Sequence, residues 1–191
     1  MNKKVIAVIL AVVLVSVGAI GGTLAWLTDK QERTNTFTVG DINMELTHPN
    51  FDQAKAKLVP GTSIPWAPTI TIKADSEDSY VFVMVENNLK ANSKTIGVPN
   101  ISSDWTAVAT QGNKTIYKYK QTIASANTDT QLTSVFTTID ISGDVTAADM
   151  EAMELIVTKT LSVTAYAHQV VGQTENDALL AFEALLTGTW S

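Results

Sequence analysis

A chain of 191 residues, 45% hydrophobic and 17% charged, fits one domain, alone or behind a targeting segment, and is too apolar for a disordered polymer. A formal net charge of −6 with no basic patch argues against nucleic-acid binding, which needs cationic groups on phosphate. With no cysteine, the chain excludes a disulfide framework, thiol catalysis, a lipid-modified cysteine and cysteine-built zinc sites.

The chain opens with a targeting pattern. Lys3 and Lys4 give a positive start, residues 5–20 carry no charge, and Gly21, Gly22, Thr23, Leu24 and Ala25 are rich in small residues. This is the order of a secretory signal peptide. Thr23 and Ala25 supply the small-x-small pattern before a cleavage site, so cleavage is expected between Ala25 and Trp26. The competing reading is a retained anchor, because residues 5–22 reach the lower limit of a membrane span. Cleavage would remove two lysines and no acid, leaving residues 26–191 as one domain more acidic than the whole chain.

The remainder reads as strands. Threonine alternates with Val, Ile, Phe and Tyr, a composition suited to half-buried pleated surfaces. Within 36–46, Phe37 and Val39 share one phase and Ile42, Met44 and Leu46 the other, which predicts a bulge or bend at Gly40-Asp41. Pro60, Pro65 and Pro68 keep the next stretch out of a central strand. In 69–73, Ile70 and Ile72 are expected inward and Thr69, Thr71 and Lys73 outward. An acidic turn at 75–78 follows. Residues 80–85 are apolar on both faces, which predicts a central strand in a sheet covered on both sides. Further strands are expected over 105–109, over 114–123, through Val135, Thr137, Ile139 and Ile141 on one face, and within 155–171, where Leu161, Val163, Ala165 and Ala167 share a face. Turn signals fall at Asn113, at 127–129 and at Gly143.

Two helices interrupt the pattern. Thr146 with Asp149, and Thr174 with Asp177, have the spacing of capping boxes. They open expected helices over 147–154 and 175–186, the second with Ala178, Leu179, Phe182, Leu185 and Leu186 on one side. Many short strands at regular spacing predict an all-β sandwich or barrel with one or two short helices.

Two stretches carry a resemblance. Ala25-Trp26-Leu27-Thr28-Asp29 behind the small-residue signal end, followed by Thr34-Asn-Thr-Phe-Thr-Val-Gly-Asp-Ile-Asn-Met-Glu-Leu46, resembles the N-terminus of proteins processed by the SipW-type signal peptidase of Gram-positive bacteria. The best-known members are the TasA and camelysin group of biofilm-matrix proteins. Pro60-Gly61 before a strand fits the same group, and Leu161 to Gln169 with 178–186 resembles the end of a smaller exported subfamily. The resemblance implies a jelly-roll-like antiparallel β-sandwich, secreted to the extracellular matrix or cell surface. The partners it implies are the SipW-type signal peptidase, further copies of the chain or other matrix proteins, and the membrane only through the signal segment. It also implies donor-strand assembly, in which residues 26–46 of one subunit complete the sheet of the next, with Trp26, Phe37, Val39, Ile42, Met44 and Leu46 as the interacting side chains. Strand addition of this kind takes affinity from main-chain hydrogen bonds and register from alternating side chains.

Catalytic chemistry finds little support. Relatives have been classed as metallopeptidases, but the chain lacks His-Glu-x-x-His, and His48 and His168 are far apart in sequence. Asp140, Asp144 and Asp149 depart from the order of a calcium loop and read as a polar turn before a helix. Asp75, Glu77 and Asp78 read as an exposed turn. No phosphate loop, dinucleotide fingerprint or nucleophile elbow is present. No catalytic residue, metal or cofactor is therefore expected. Two other functions remain: a monomeric surface module binding protein or glycan through loops and the tryptophans Trp26, Trp66, Trp105 and Trp190, and a camelysin-like peptidase.

Overall fold

The computed structural model describes residues 35–39, 41–49, 58–92, 94–154 and 160–186. The signal segment and the Ala25–Trp26 junction lie outside them. In chain order the described elements are β1 (Asn35–Val39), β2 (Met44–Thr47), β3 (Ser63–Pro65), β4 (Thr69–Ile72), β5 (Ser79–Asn87), β6 (Lys90–Ala91) and β7 (Lys94–Thr95). They continue with β8 (Gly97–Ile101), β9 (Trp105–Gln111), β10 (Lys114–Tyr119), β11 (Thr130–Gln131), β12 (Phe136–Ile141), α1 (Ala147–Glu154), β13 (Leu161–Gln169) and α2 (Glu175–Leu185).

Together the described strands form an all-β sandwich, and the described residues include two short helices. One layer is a five-stranded sheet in the order β1-β13-β5-β10-β9. The other holds two three-stranded sheets, β11-β4-β2 and β3-β12-β8. These two run into one another. Main-chain bonds from Leu132 N to Ile70 O, Val135 N to Pro68 O and Trp66 N to Thr137 O carry the pairing across the break between them. Pro65 ends β3, which is an edge strand, where a missing N–H costs no ladder bond.

Periodicity explains the layers. Val81, Val83 and Val85 of β5, with Leu161, Val163, Ala165 and Ala167 of β13, enter the core between the sheets. Ile42, Met44, Leu46, Ile70 and Ile72 meet them from the opposite layer. The alternate residues Phe82, Met84 and Tyr166 face the other way and are buried with Ile116 against Ala178, Phe182 and Leu186 at α2. The two-faced apolar run is therefore the centre of a sheet sandwiched between a second sheet and a helix, as its sequence predicts. Tyr166 and Phe182 stack with centroids 4.8 Å apart and planes 4° from parallel.

Two bulges set the faces of β9 and β12, the second against expectation. Ile116 pairs with Ala109 but Tyr117 pairs with Ala107, so Val108 is an extra residue in β9. This turns Trp105 into the sandwich core while Ala109 packs on the helix side. In β12, a register shift between Phe136 and Ile139 leaves Thr137 exposed while Val135, Phe136, Ile139 and Ile141 are buried. Two other side chains depart from expectation. Thr69 is buried rather than outward, its hydroxyl donating to Ala67 O (3.1 Å) and sharing a bond with Ser134 Oγ (2.8 Å). Leu185, in the last turn of α2, is 45% exposed, so the buried stripe follows Ala178, Phe182 and Leu186. The strand over 114–123 ends at Tyr119, and Ile123 forms a single bridge with Ser79.

The β9–β10 hairpin turns on Gly112-Asn113, with Gly112 at φ +61°. Glycine at the first central position is what a two-residue hairpin of type II′ requires.

Candidate functional site

The candidate donor segment is divided between the layers. Trp26 lies outside the described residues. Phe37 and Val39 belong to β1, whose Cα partners on β13 are Tyr166 and His168. Ile42, Met44 and Leu46 belong to the opposite layer, where all three are buried and β2 pairs with β4. The chain passes from one layer to the other between Val39 and Met44, with a bend at Asp41. The phase change in the sequence marks this crossover.

β1 differs from the rest of its sheet. It runs parallel to β13, whereas β13–β5, β5–β10 and β10–β9 are antiparallel. It is a five-residue edge strand held by one ladder, Asn35 opposite Thr164 through Val39 opposite His168. Parallel pairing is slightly the weaker per residue, and an edge held on one side is among the first parts of a fold to open. Removing β1 would uncover main-chain groups along 164–168 of β13, the kind of edge that accepts another strand.

The two histidines are separate packing residues. His48, in the loop after β2, accepts a hydrogen bond at Nδ1 from Trp66 Nε1–H (2.9 Å). Burial holds its pKa below the usual 6.5. The lowered value means that protonation works against the fold as pH drops below that point, because the unfolded chain takes the proton first. His168 is buried on β13 beside Tyr166, ring centroids 5.9 Å apart, with Nδ1 2.9 Å from Gln169 O.

The acidic residues also have structural occupations. Asp149 is buried and accepts from Thr146 N (3.0 Å), Thr146 Oγ1 (2.8 Å), Asn92 Nδ2 (3.0 Å) and Lys94 Nζ (3.1 Å). These bonds, led by the Thr146 amide, hold its carboxyl well below the usual range. It thus caps α1 and ties that helix to the β6–β7 hairpin. Asp140 accepts from Ser63 Oγ (2.7 Å), and Asp144 is exposed. Asp75, Glu77 and Asp78 are exposed in the turn before β5. Among the described residues, no three His, Asp or Glu side chains are grouped to hold a metal ion.

Trp66 and Trp105 are core residues, 1% and 4% exposed. Trp66 meets Phe136 edge to face at 5.2 Å, and Trp105 Nε1–H donates to Thr133 O (3.0 Å). Neither presents a binding face, and Trp26 and Trp190 lie outside the described residues. No described helix is long and apolar enough to cross a membrane.

The sheet edges remain the surface with the clearest chemistry. Comparison with protein-family models, with curated proteins and with solved structures finds no match.

Proposed function

We propose that this chain is an exported structural protein of the SipW-dependent, TasA/camelysin-like type. In this reading it is secreted by a Gram-positive cell, has a jelly-roll-like sandwich, and acts as a fibre subunit or accessory of the extracellular matrix. The observation that carries the reading is β1. The described strand nearest the proposed new N-terminus is short, parallel, at an edge and held by a single described ladder.

Assembly then proceeds by exchange. β1, carried by the segment that begins at Trp26, leaves its own β13 and takes the same place on β13 of the next copy. The main-chain bonds broken in one subunit are remade in another, so the net cost is small and each subunit offers both a donor and a vacancy. Residues 42–46 stay at home, because Ile42, Met44 and Leu46 are built into the opposite layer.

Deleting residues 26–40 tests the reading. Filaments of the exported protein, seen by negative-stain electron microscopy, should vanish while far-ultraviolet circular dichroism keeps its β signature. Filaments that persist in the deletion would contradict donation.

A further inference from the structure

The opposite edge of the five-stranded sheet carries a second message. β9 has one described neighbour, β10, on one side only. Its segment Thr106-Ala107-Val108-Ala109-Thr110 is uncharged, free of proline and the same read in either direction. Thr106, Ala107, Val108 and Thr110 are exposed.

Apart from β1, the edges of the two three-stranded sheets carry the usual guards against strand addition. β8 contains Pro99 and β3 ends in Pro65. β2 presents Glu45, ion-paired to Lys73 at 2.6 Å, and β11 is two residues long.

We propose that β9 is a self-recognition edge that pairs antiparallel with β9 of a second copy, about a two-fold axis through Val108. An antiparallel pair related by two-fold symmetry needs a segment complementary to its own reverse, and a palindrome meets that condition. Val108 then faces Val108, Ala107 faces Ala109, and Thr106 faces Thr110. Threonines opposite one another are a favourable cross-strand pair. Just beyond the palindrome, Asp104 falls opposite Gly112, so this register sets no like charges face to face although the chain is acidic. The bulge at Val108 is also accommodated. A bulge normally turns an edge away from partners, but here it sits on the axis and occurs once in each strand at the same place, so both strands bend alike. The two sheets join into one of ten strands. Because the contact is short, the dimer is weak and depends on concentration.

The natural chain has no cysteine, which permits a clean test in the full-length protein. Directly opposed residues of an antiparallel pair lie within disulfide reach. Under mild oxidant, V108C should form disulfide-linked dimers about tenfold or more faster than V171C, because pairing raises the local thiol concentration. Val171 is the control because it is 68% exposed and lies outside β9. T106C and T110C should each stay at the control rate, since each faces a threonine, whereas T106C/T110C should cross-link as V108C does. Equal rates for V108C and V171C, or fast cross-linking of T106C alone, would overturn the pairing. Cross-linking of V108C should survive deletion of residues 26–40, so this edge and the N-terminal strand are read separately.

Discussion

Tyr166 sits with its ring between Phe82, Phe182 and His168 and its hydroxyl buried without a hydrogen-bond partner among the described residues. Burial pushes its pKa up to about 12. A hydroxyl stripped of water and left unpaired costs stability, about 1–3 kcal/mol by mutational precedent. Y166F keeps the stacked ring and removes the orphan oxygen. Urea unfolding should therefore show it more stable by about 1 kcal/mol; a loss of similar size would mean that the hydroxyl has a partner. Other polar residues illustrate what spacing reveals. Both capping carboxylates, Asp149 and Asp177, are visible in the sequence because their threonine partners stand three residues away. The bonds from Asn92 and Lys94 to Asp149 are not, because these residues are brought in from more than fifty positions away. Likewise, nothing local to His48 announces Trp66 as its donor.

Elements with two buried faces read most clearly. β5 and β13 are long, apolar and rich in β-branched or small residues, and both occupy the middle of the five-stranded sheet. α2 covers that sheet by a narrow stripe, and the energetic prediction follows its geometry. Phe182 is fully buried, so F182A should destabilise by about 3–5 kcal/mol through lost burial and a residual cavity. Leu185 is 45% exposed, and L185A should cost about 0.5 kcal/mol or less in the same thermal or urea experiment. Equal effects would mean that the helix lies on the other stripe. Four of the short strands escaped the sequence. β6, β7, β8 and β11 are too short or too polar to show a period, and pairing with distant partners defines them. The bulges at Val108 and in β12 escaped for a related reason. A bulge reverses the alternation that sequence patterning relies on, so Thr137 reads inward in sequence and faces outward in the fold.

At the scale of the molecule, two sheets share one core and a helix closes the outer face of the larger sheet. That arrangement leaves the five-stranded sheet with two ends of different character. One is a parallel strand from the N-terminal part of the chain, and the other is an uncharged palindrome on β9. The all-β class and the central strand were legible because burial on one or two faces imprints a period. The parallel placement of β1 was not, since strand direction depends on a partner more than a hundred residues away. Donation of β1 from copy to copy is the central claim, and the pairing of Asn35 with Thr164 offers its most direct test. The variant N35C/T164C places two cysteines at positions that are Cα partners in this ladder, in a chain otherwise free of cysteine. Oxidised under assembly conditions and run on a denaturing, non-reducing gel, it should give a ladder of covalent multimers. A single band of internally cross-linked monomer would show that each chain keeps its own first strand, and would contradict the account.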